Sequence, residues 1–429
     1  MRMIVDRPFE PCQSRVFARN PTARPAWSRA TGSLSCESLI DLLEAALLTG
    51  KGGAGFPTAR KARLMMAQAG PHKTLVVNGS EHEPGSLKDR FLLEMHPLQV
   101  VEGAMILAHA VGADTVVFAI NAGSTKAVES MQLAVAAIDA DAMGVAANIA
   151  LQVRTVPEVY IVGEETALLE TLEGREPLPR RKPPFPIEQG LNGLPTLVQN
   201  VETVARIPFI VSSGAEAYRA LGTGGAGSTL CTFGPEFVNA GVQDVPLGIS
   251  IRELLDVWGG GRRDGLPIKC IQPGGPSTGF VTPDEFDQPF DAATLSRLGS
   301  ALGCAVIRAF SIDDCMVRHI GETMHFFAVE SCGQCPRCRM ETNMLDTIVR
   351  QVLNGAGSQK LLDKVEGIIQ LARGQGLCSL IDMPVAPIRS GLHHFADEFV
   401  AHIEHRCTLC EAGAGAHRAT AELVGTTAS

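Results

Sequence analysis

Thr74-Leu75-Val76-Val77-Asn78-Gly79-Ser80-Glu81-His82-Glu83 decides the fold. Its first half is a short apolar run, the pattern of a strand buried on both faces. Its second half turns polar at once, and in open α/β sheets ligands bind just beyond the carboxyl ends of strands. Upstream, Leu39, Leu42, Leu43, Ala46 and Leu47 share one face of a predicted helix that stops before Gly50. Downstream the pattern alternates: a helix over Leu98–Val111, a strand over Asp114–Ile120, a helix over Thr125–Asp139 and a strand over Leu151–Val156. This order predicts a mostly parallel sheet covered by helices.

Two further units follow. Gly222-Thr223-Gly224-Gly225-Ala226-Gly227 matches G-x-G-x-x-G, but it precedes a strand instead of opening a helix, so it reads as a linker. Strands near Thr229–Phe233 and Lys269–Ile271 then flank a helix over Ile251–Trp258, with Ser250 and Glu253 as a capping box and Gly259-Gly260-Gly261 as its end. A small α+β unit with a ubiquitin-like roll is expected there. From about Ser311 the apolar stripes are helical: Met340 to Val352, Leu361 to Ile369, and Leu392 to His405. The expected organisation is an arm (1–36), an α/β domain (37–222), the α+β unit (228–310), an all-α bundle (311–406) and a tail (407–429).

At 429 residues the chain can bury two or three cores. A net charge of −9 argues against a nucleic-acid groove and gives no polybasic membrane anchor, and only 5% of residues are aromatic, too few for base stacking. No apolar run approaches the roughly 18 residues that cross a bilayer. Twelve cysteines with no recognisable export signal fit a reducing compartment and metal use. Residues 11–36 carry Arg15, Arg19, Arg24 and Arg29 and no acid, faintly like a mitochondrial targeting segment. Pro11, Pro21 and Pro25 interrupt any helix there, and a disordered or surface-hugging arm is expected.

Chemistry concentrates in four places. Cys332, Cys335 and Cys338 stand in a C-x2-C-x2-C run, which folds three thiolates toward one point, and Cys378 follows one helix-length later behind Gly374 and Gly376. A tight triplet plus a distant single suits a [4Fe–4S] cube, whereas zinc usually takes two paired knuckles. Gly50-Lys51-Gly52-Gly53-Ala54-Gly55-Phe56-Pro57-Thr58 has four glycines in six residues ahead of a helix over Arg60–Gln68. Its backbone N–H groups suit phosphate oxygens, with Lys61 adding charge. Asn78 offers donors and acceptors at a strand end, beside Glu81 and Glu83, and His82 is expected on the surface. Tyr160-Ile161-Val162 reads as a strand leading into Gly163-Glu164-Glu165-Thr166, followed by Arg180, Arg181 and Lys182 before Pro183-Pro184-Phe185-Pro186.

In this order the segments closely resemble the family of FMN-binding, NADH-oxidising subunits of respiratory complex I, which includes the diaphorase subunits of NAD-linked hydrogenases and formate dehydrogenases. The matching stretches are G-K-G-G-A-G-F-P-T at 50–58, N-G-S-E-H-E-P-G-S-L-K-D-R at 78–90, G-E-E-T-A-L at 163–168 and E-G-R at 173–175. K-P-P-F-P at 182–186, N-V-E-T at 200–203 and E-S-C-G-Q-C-P-R-C-R at 330–339 complete the set. The resemblance implies a Rossmann-like flavin domain, a ubiquitin-like soluble-ligand-binding domain and a helical cluster domain. By position, Gly50, Gly52, Gly53, Lys61, Asn78, Gly163, Asn200 and Thr203 look like FMN contacts. Glu81, Glu83, Glu164 and Glu165 look like an acidic rim around flavin and nicotinamide, with Glu81 and Glu83 nearest the chemistry. Phe56, Lys182 and Phe185 look like the NADH grip, and Cys332, Cys335, Cys338 and Cys378 like the cluster ligands. It further implies a thioredoxin-like [2Fe–2S] partner within a larger redox complex, and a cytoplasmic location, peripheral to the inner membrane through that complex.

Three positions depart from the family pattern. Ser80 replaces an acid in the flavin loop, Leu64 an aromatic expected at the adenine, and Gln199 the first of two asparagines. These changes raise a rival reading, a cluster-bearing scaffold that has lost NADH turnover. Keeping Glu81, Glu83, Glu164 and Glu165 argues against it, because a buried acidic rim costs desolvation. Cys407-x2-Cys410 belongs to none of these motifs. Half of a metal site, lost or completed by a partner, would use such a pair, but two thiols do not close one alone, and the sequence assigns it no role.

Overall fold

The computed structural model describes residues 14–17, 25–140, 148–225 and 227–410. Most of the arm before residue 25 and the tail beyond 410 lie outside the described residues. Strands β1 (Thr74–Gly79), β2 (Thr115–Asn121), β3 (Ala150–Val156) and β4 (Thr196–Asn200) form one parallel sheet in the order β3-β2-β1-β4. Successive side chains alternate between its faces. Leu75, Val77, Val116 and Phe118 enter the large core beneath the Pro97–Val111 and Val201–Ser213 helices. Val76, Val117, Val156 and Val198 meet Val162, Leu168 and Leu172 on the other face. Both faces are therefore buried, as the unbroken apolar run of β1 requires. From β1 the sheet grows one way through β2 and β3, then reverses to place β4 on β1's other side. The carboxyl ends of β1 and β4 thus flank a topological switch point.

A second four-stranded sheet comprises β5 (Ser228–Phe233), β6 (Gly241–Pro246), β7 (Ile268–Gln272) and β8 (Val306–Ser311) in the order β6-β5-β8-β7. Its central pair β5–β8 is parallel and both outer pairs are antiparallel, the arrangement of the expected ubiquitin-like roll. The helix over 251–258 forms, but it widens into a π-helix after Glu253, and Ser250 Oγ accepts from Glu253 N at 3.0 Å. The third unit is helical. The Met316–Glu330 helix packs on the Pro336–Leu353 helix around Met324, Phe327, Leu345 and Val349, and Val385–His394 and Ala396–Ile403 close the same core.

Three expectations are corrected. Tyr160–Gly163 is a 3-10 turn, not a strand; three apolar residues cannot distinguish the two, and Pro157 and the following helix fix the turn. The arm does not merely hug the surface: Pro25–Ser33 is helical, and Ala26, Trp27 and Ala30 are buried with Val16 and Phe17 in the main core. Pro25 starts this helix, where its missing N–H costs nothing. His82 is half-buried instead of lying on the surface. Its Nε2 is closed off from solvent, Nδ1 lies 3.3 Å from Asn121 Nδ2, and burial pulls its pKa down to about 4. Among the described residues, no single helix is long and apolar enough to cross a membrane.

Candidate functional site

The glycine loop folds back as a tight hairpin, Gly50 N donating to Phe56 O at 2.8 Å. Gly53 (φ +104°) and Gly55 (φ +63°) take backbone conformations closed to most L-residues. The loop lies against the end of β4: Lys51 N donates to Thr203 Oγ1 at 2.9 Å, and a Cβ on Gly52 would sit 3.3 Å from Asn200 Cβ. Asn200 is the N-cap of the Val201–Ser213 helix, its Oδ1 accepting from Glu202 N at 2.9 Å. It stands in register with Asn78 on β1, and Asn78 Nδ2 donates to Gly163 O at 3.0 Å. Six of the residues expected at the flavin, Gly50, Gly52, Asn78, Gly163, Asn200 and Thr203, are thereby joined around the switch point. Gly53 faces Cys304 Sγ of the second unit, 3.6 Å from its would-be Cβ. Lys61 is engaged elsewhere, donating to Val198 O and Glu165 Oε2, both at 2.9 Å.

Beneath this cradle lies a charged layer; Lys51, Lys88, Asp89 and Glu202 stand within the matching stretches, but nothing in those stretches pairs them with one another or with Arg206 and Asp244. Lys88 Nζ reaches Asp89 Oδ1 at 2.7 Å, Asn200 Oδ1 at 3.3 Å and Glu202 Oε2 at 3.4 Å, and Asn200 Nδ2 donates to Asp89 Oδ2 at 2.6 Å. Burial opposes the Lys88 charge, but Asp89 and Glu202 outweigh it and hold its pKa above the usual value. Arg206, fully buried, bonds Glu202 Oε1, Ser228 Oγ and Asp244 Oδ1 at 3.0, 2.9 and 3.0 Å, tying the first unit to the second sheet. Lys51 Nζ donates to Ser228 O, and its pKa falls to about 8 through burial and the neighbouring Arg206. Spacing cannot reveal such a layer, because its members come from the glycine loop, the Lys88–Met95 and Val201–Ser213 helices, β5 and β6, far apart in sequence.

The four acids have different surroundings. Glu81 has an unusual φ of +34°, held by three bonds: Oε1 accepts from Ser86 Oγ (2.7 Å) and Asp89 N (2.9 Å), and Oε2 from Arg90 N (2.7 Å). Through Asp89 N and Arg90 N it satisfies the first turn of the Lys88–Met95 helix, and each of its oxygens accepts at least one bond. Glu83 accepts from Tyr160 Oη at 2.8 Å through Oε2, while Oε1 is shut off from solvent with no partner, against Gly275. Burial raises its pKa to about 7, only partly offset by the Tyr160 bond. Glu164 is the N-cap of the Glu165–Leu172 helix, accepting from Thr166 N and Ala167 N at 2.8 and 2.9 Å. Lys182 Nζ bridges Glu164 Oε1 (2.8 Å) and Glu165 Oε1 (3.0 Å), so Lys61, Glu165, Lys182 and Glu164 alternate in sign along one edge. Burial works against the Glu165 charge, yet the two lysines bring its pKa below the usual value. Phe56 and Phe185 are both exposed, with Arg60 over the Phe56 ring at 5.6 Å.

Cys332, Cys335, Cys338 and Cys378 converge. They line one small cavity with Ile161, Pro179, Gly376 and Leu380, and they pack with Ala167 and Ala372. Cys335 caps the Pro336–Leu353 helix, whose Pro336 at N1 opens the turn, and Cys378 caps the Ser379–Asp382 turn. Leu377 N donates to Cys335 Sγ at 3.4 Å, and all four cysteines are free of disulfides. Four thiols around an apolar cavity fit a cluster's ligand demand. Ile161 and Ala167 belong at once to this cage and to the turn and helix that carry Gly163, Glu164 and Glu165.

Comparison with known proteins bears on the same regions. Residues 43–209 match the family described as Nuo51 FMN-binding domain, and residues 318–402 match the NADH-ubiquinone oxidoreductase-F iron–sulfur binding region. The chain is 35% identical over 388 residues to the second F-type subunit of NADH-quinone oxidoreductase from Rhizobium meliloti, covering 89% of this chain and 92% of that one. It is 32% identical over 383 residues to HndC, a subunit of the NADP-reducing hydrogenase of Solidesulfovibrio fructosivorans, covering 86% and 78%. A solved NAD+-reducing [NiFe]-hydrogenase in the H2-reduced state has a chain that superposes with a TM-score of 0.81 at 28% identity, covering 93% of this chain and 69% of that one.

Proposed function

The chain belongs to the family of F-type subunits of NADH-quinone oxidoreductase, and from that premise we propose how its residues carry the flavin- and iron–sulfur-dependent oxidation of NADH. Such a chain is one component of a larger assembly of the complex I or NAD-reducing hydrogenase kind. FMN, when bound, would supply the conversion between a hydride's electron pair and the single electrons that a [4Fe–4S] cluster accepts. The protein's part is to hold, orient and exclude water. Gly50, Gly52 and Gly53 let the backbone approach the flavin closely, and Asn78, Gly163, Asn200 and Thr203 complete the cradle, with Lys61 at its edge. Lys88 and Lys51 put buried positive charge beside a ligand that bears a phosphate. Glu83, bonded to Tyr160 and sealed against Gly275, keeps a buried carboxyl behind the flavin loop, and Glu81 positions the loop by bonding the first turn of the next helix. Phe56 and Phe185 offer exposed faces for the dinucleotide, while Lys182, Glu164 and Glu165 form its polar border. Cys332, Cys335, Cys338 and Cys378 bind the cluster.

The observation that carries this reading is the double use of residues 160–167. One turn and one helix start supply both a wall of the thiol cage and a wall of the proposed flavin cradle, so only packed protein would separate a flavin held in one from a cluster held in the other. We further propose a thioredoxin-like [2Fe–2S] protein as the next carrier and a cytoplasmic location. The units 37–222, 228–310 and 311–406 are the proposed flavin, soluble-ligand-binding and cluster domains. The test is anaerobic visible spectroscopy with flavin and iron quantified. About one FMN and four irons per chain, with the flavin band bleaching on NADH, are expected. Flavin and iron present without bleaching would overturn NADH oxidation and restore the scaffold reading.

A further inference from the structure

Outside the flavin and cluster regions, one group of donor side chains converges among the described residues. The Sγ atoms of Cys315, Cys407 and Cys410 and a ring nitrogen of His402 all lie within 4.8 Å of one another. Cys315 Sγ is 3.2 Å and Cys410 Sγ 3.6 Å from His402 Nε2. We infer that these four residues form a second, structural metal site that binds one zinc ion as Cys3His.

Geometry separates this site from the cluster. In a tetrahedral zinc site, bonds of about 2.3 Å to sulfur and 2.0–2.1 Å to nitrogen place the donors about 3.6–3.8 Å apart. The two separations from His402 Nε2, 3.2 and 3.6 Å, lie at or just below that value, and no pair of the four donors exceeds 4.8 Å. A [4Fe–4S] cube needs its four thiolates much further apart, since each binds a different iron. Simple hydrogen bonding does not explain the group either. His402 Nε2 is a single donor or a single acceptor, so it can serve only one of the sulfurs that crowd it. An imidazole nitrogen aimed among three thiols is satisfied by a shared cation.

The surroundings suit a closed, four-ligand site. Cys315 and His402 are buried, and Cys407 and Cys410 are partly buried against the helical core. Binding takes three thiol protons into solvent and leaves Zn2+ with three thiolates, a net charge of −1. Arg318, whose Nη2 donates to Cys410 O at 3.0 Å, stands beside that charge. The ion would also reinforce a junction already built: Glu398 Oε2 accepts from Met316 N at 2.8 Å, joining the His402 helix to the helix that Cys315 precedes, and its Oε1 accepts from Lys269 Nζ of β7 at 2.9 Å. Cys315 caps the start of the Met316–Glu330 helix, and that helix ends at Ser331, the edge of the cluster cage. Its 15 residues span about 22 Å, so the zinc braces the far end of a cage strut and takes no part in electron transfer.

The test uses the full chain, purified anaerobically, with zinc and iron measured on the same sample. About one zinc alongside four irons is expected, and the zinc-edge X-ray absorption spectrum should show three sulfurs and one nitrogen. C407S/C410S should lose more than about nine-tenths of the zinc while keeping iron and FMN, and C335S should lose the iron while keeping zinc and FMN. Zinc absent from the wild-type chain and not taken up on addition would overturn the inference. So would zinc retained in C407S/C410S, or iron lost from it with zinc unchanged. If the double variant does not fold, the wild-type spectrum decides alone: any ligand set other than three sulfurs and one nitrogen refutes the assignment. Failure of NADH to bleach the flavin would leave these readouts untouched.

Discussion

Replacing Glu83 by Gln tests the buried acid most directly. Its Oε1 has no partner and no solvent, and its pKa is raised from 4.5 to about 7. A carboxyl that is harder to ionise in the folded state stabilises the fold fully below the unfolded pKa and loses that contribution as pH rises through the folded one. At 1.36 kcal/mol per pKa unit, wild type loses about 2 kcal/mol between pH 5.5 and pH 8 that the amide does not lose. Gln keeps an oxygen for the Tyr160 hydroxyl, so the comparison isolates the charge. In flavin-free protein, the thermal midpoint of Glu83→Gln relative to wild type should climb by roughly 4–8 °C over that pH range if the flavin domain unfolds as a unit. Parallel pH profiles for the two proteins would refute the claim that this carboxyl is shut away from water.

Other outcomes follow from the same geometry. Cys335→Ala should remove about four irons per chain and leave FMN bound; unchanged iron by colorimetric assay would disprove the ligand set. Arg206→Met leaves Glu202 and Asp244 buried without their partner, a cost of about 3–5 kcal/mol, so the denaturation midpoint should fall sharply; a midpoint within experimental error of wild type would show that Lys51 and Lys88 suffice. Gly52→Val fills the gap over Asn200, where a Cβ already sits at 3.3 Å, and should weaken FMN retention at least about tenfold, or 1.4 kcal/mol, by equilibrium dialysis. Full FMN occupancy in that variant would place the flavin elsewhere.

Local pattern determined a great deal here. The apolar run of β1, the stripe of the Pro336–Leu353 helix and the C-x2-C-x2-C spacing each encode their outcome within a few residues, because period and steric reach act locally. The glycine loop was legible for the same reason: its unusual backbone needs glycine wherever it occurs. β4 was not legible as a strand, since five residues ending in Gln199-Asn200 carry too little alternation, and only pairing with β1 fixes them. Tyr160–Gly163 went the other way, apolar enough for a strand but placed as a turn by its neighbours. Glu81 and Glu83 sit two residues apart in one motif, yet one caps a helix and the other is sealed against Gly275, a difference set by packing. Cys407 and Cys410 carry no assignment in sequence; that Cys315, 92 residues before Cys407, and His402 gather with them is known only once the helical core brings them together. Sequence sets what a segment can form and which donors it holds, while burial, charge pairing and the assembly of distant donors depend on contacts that exist only in the folded chain.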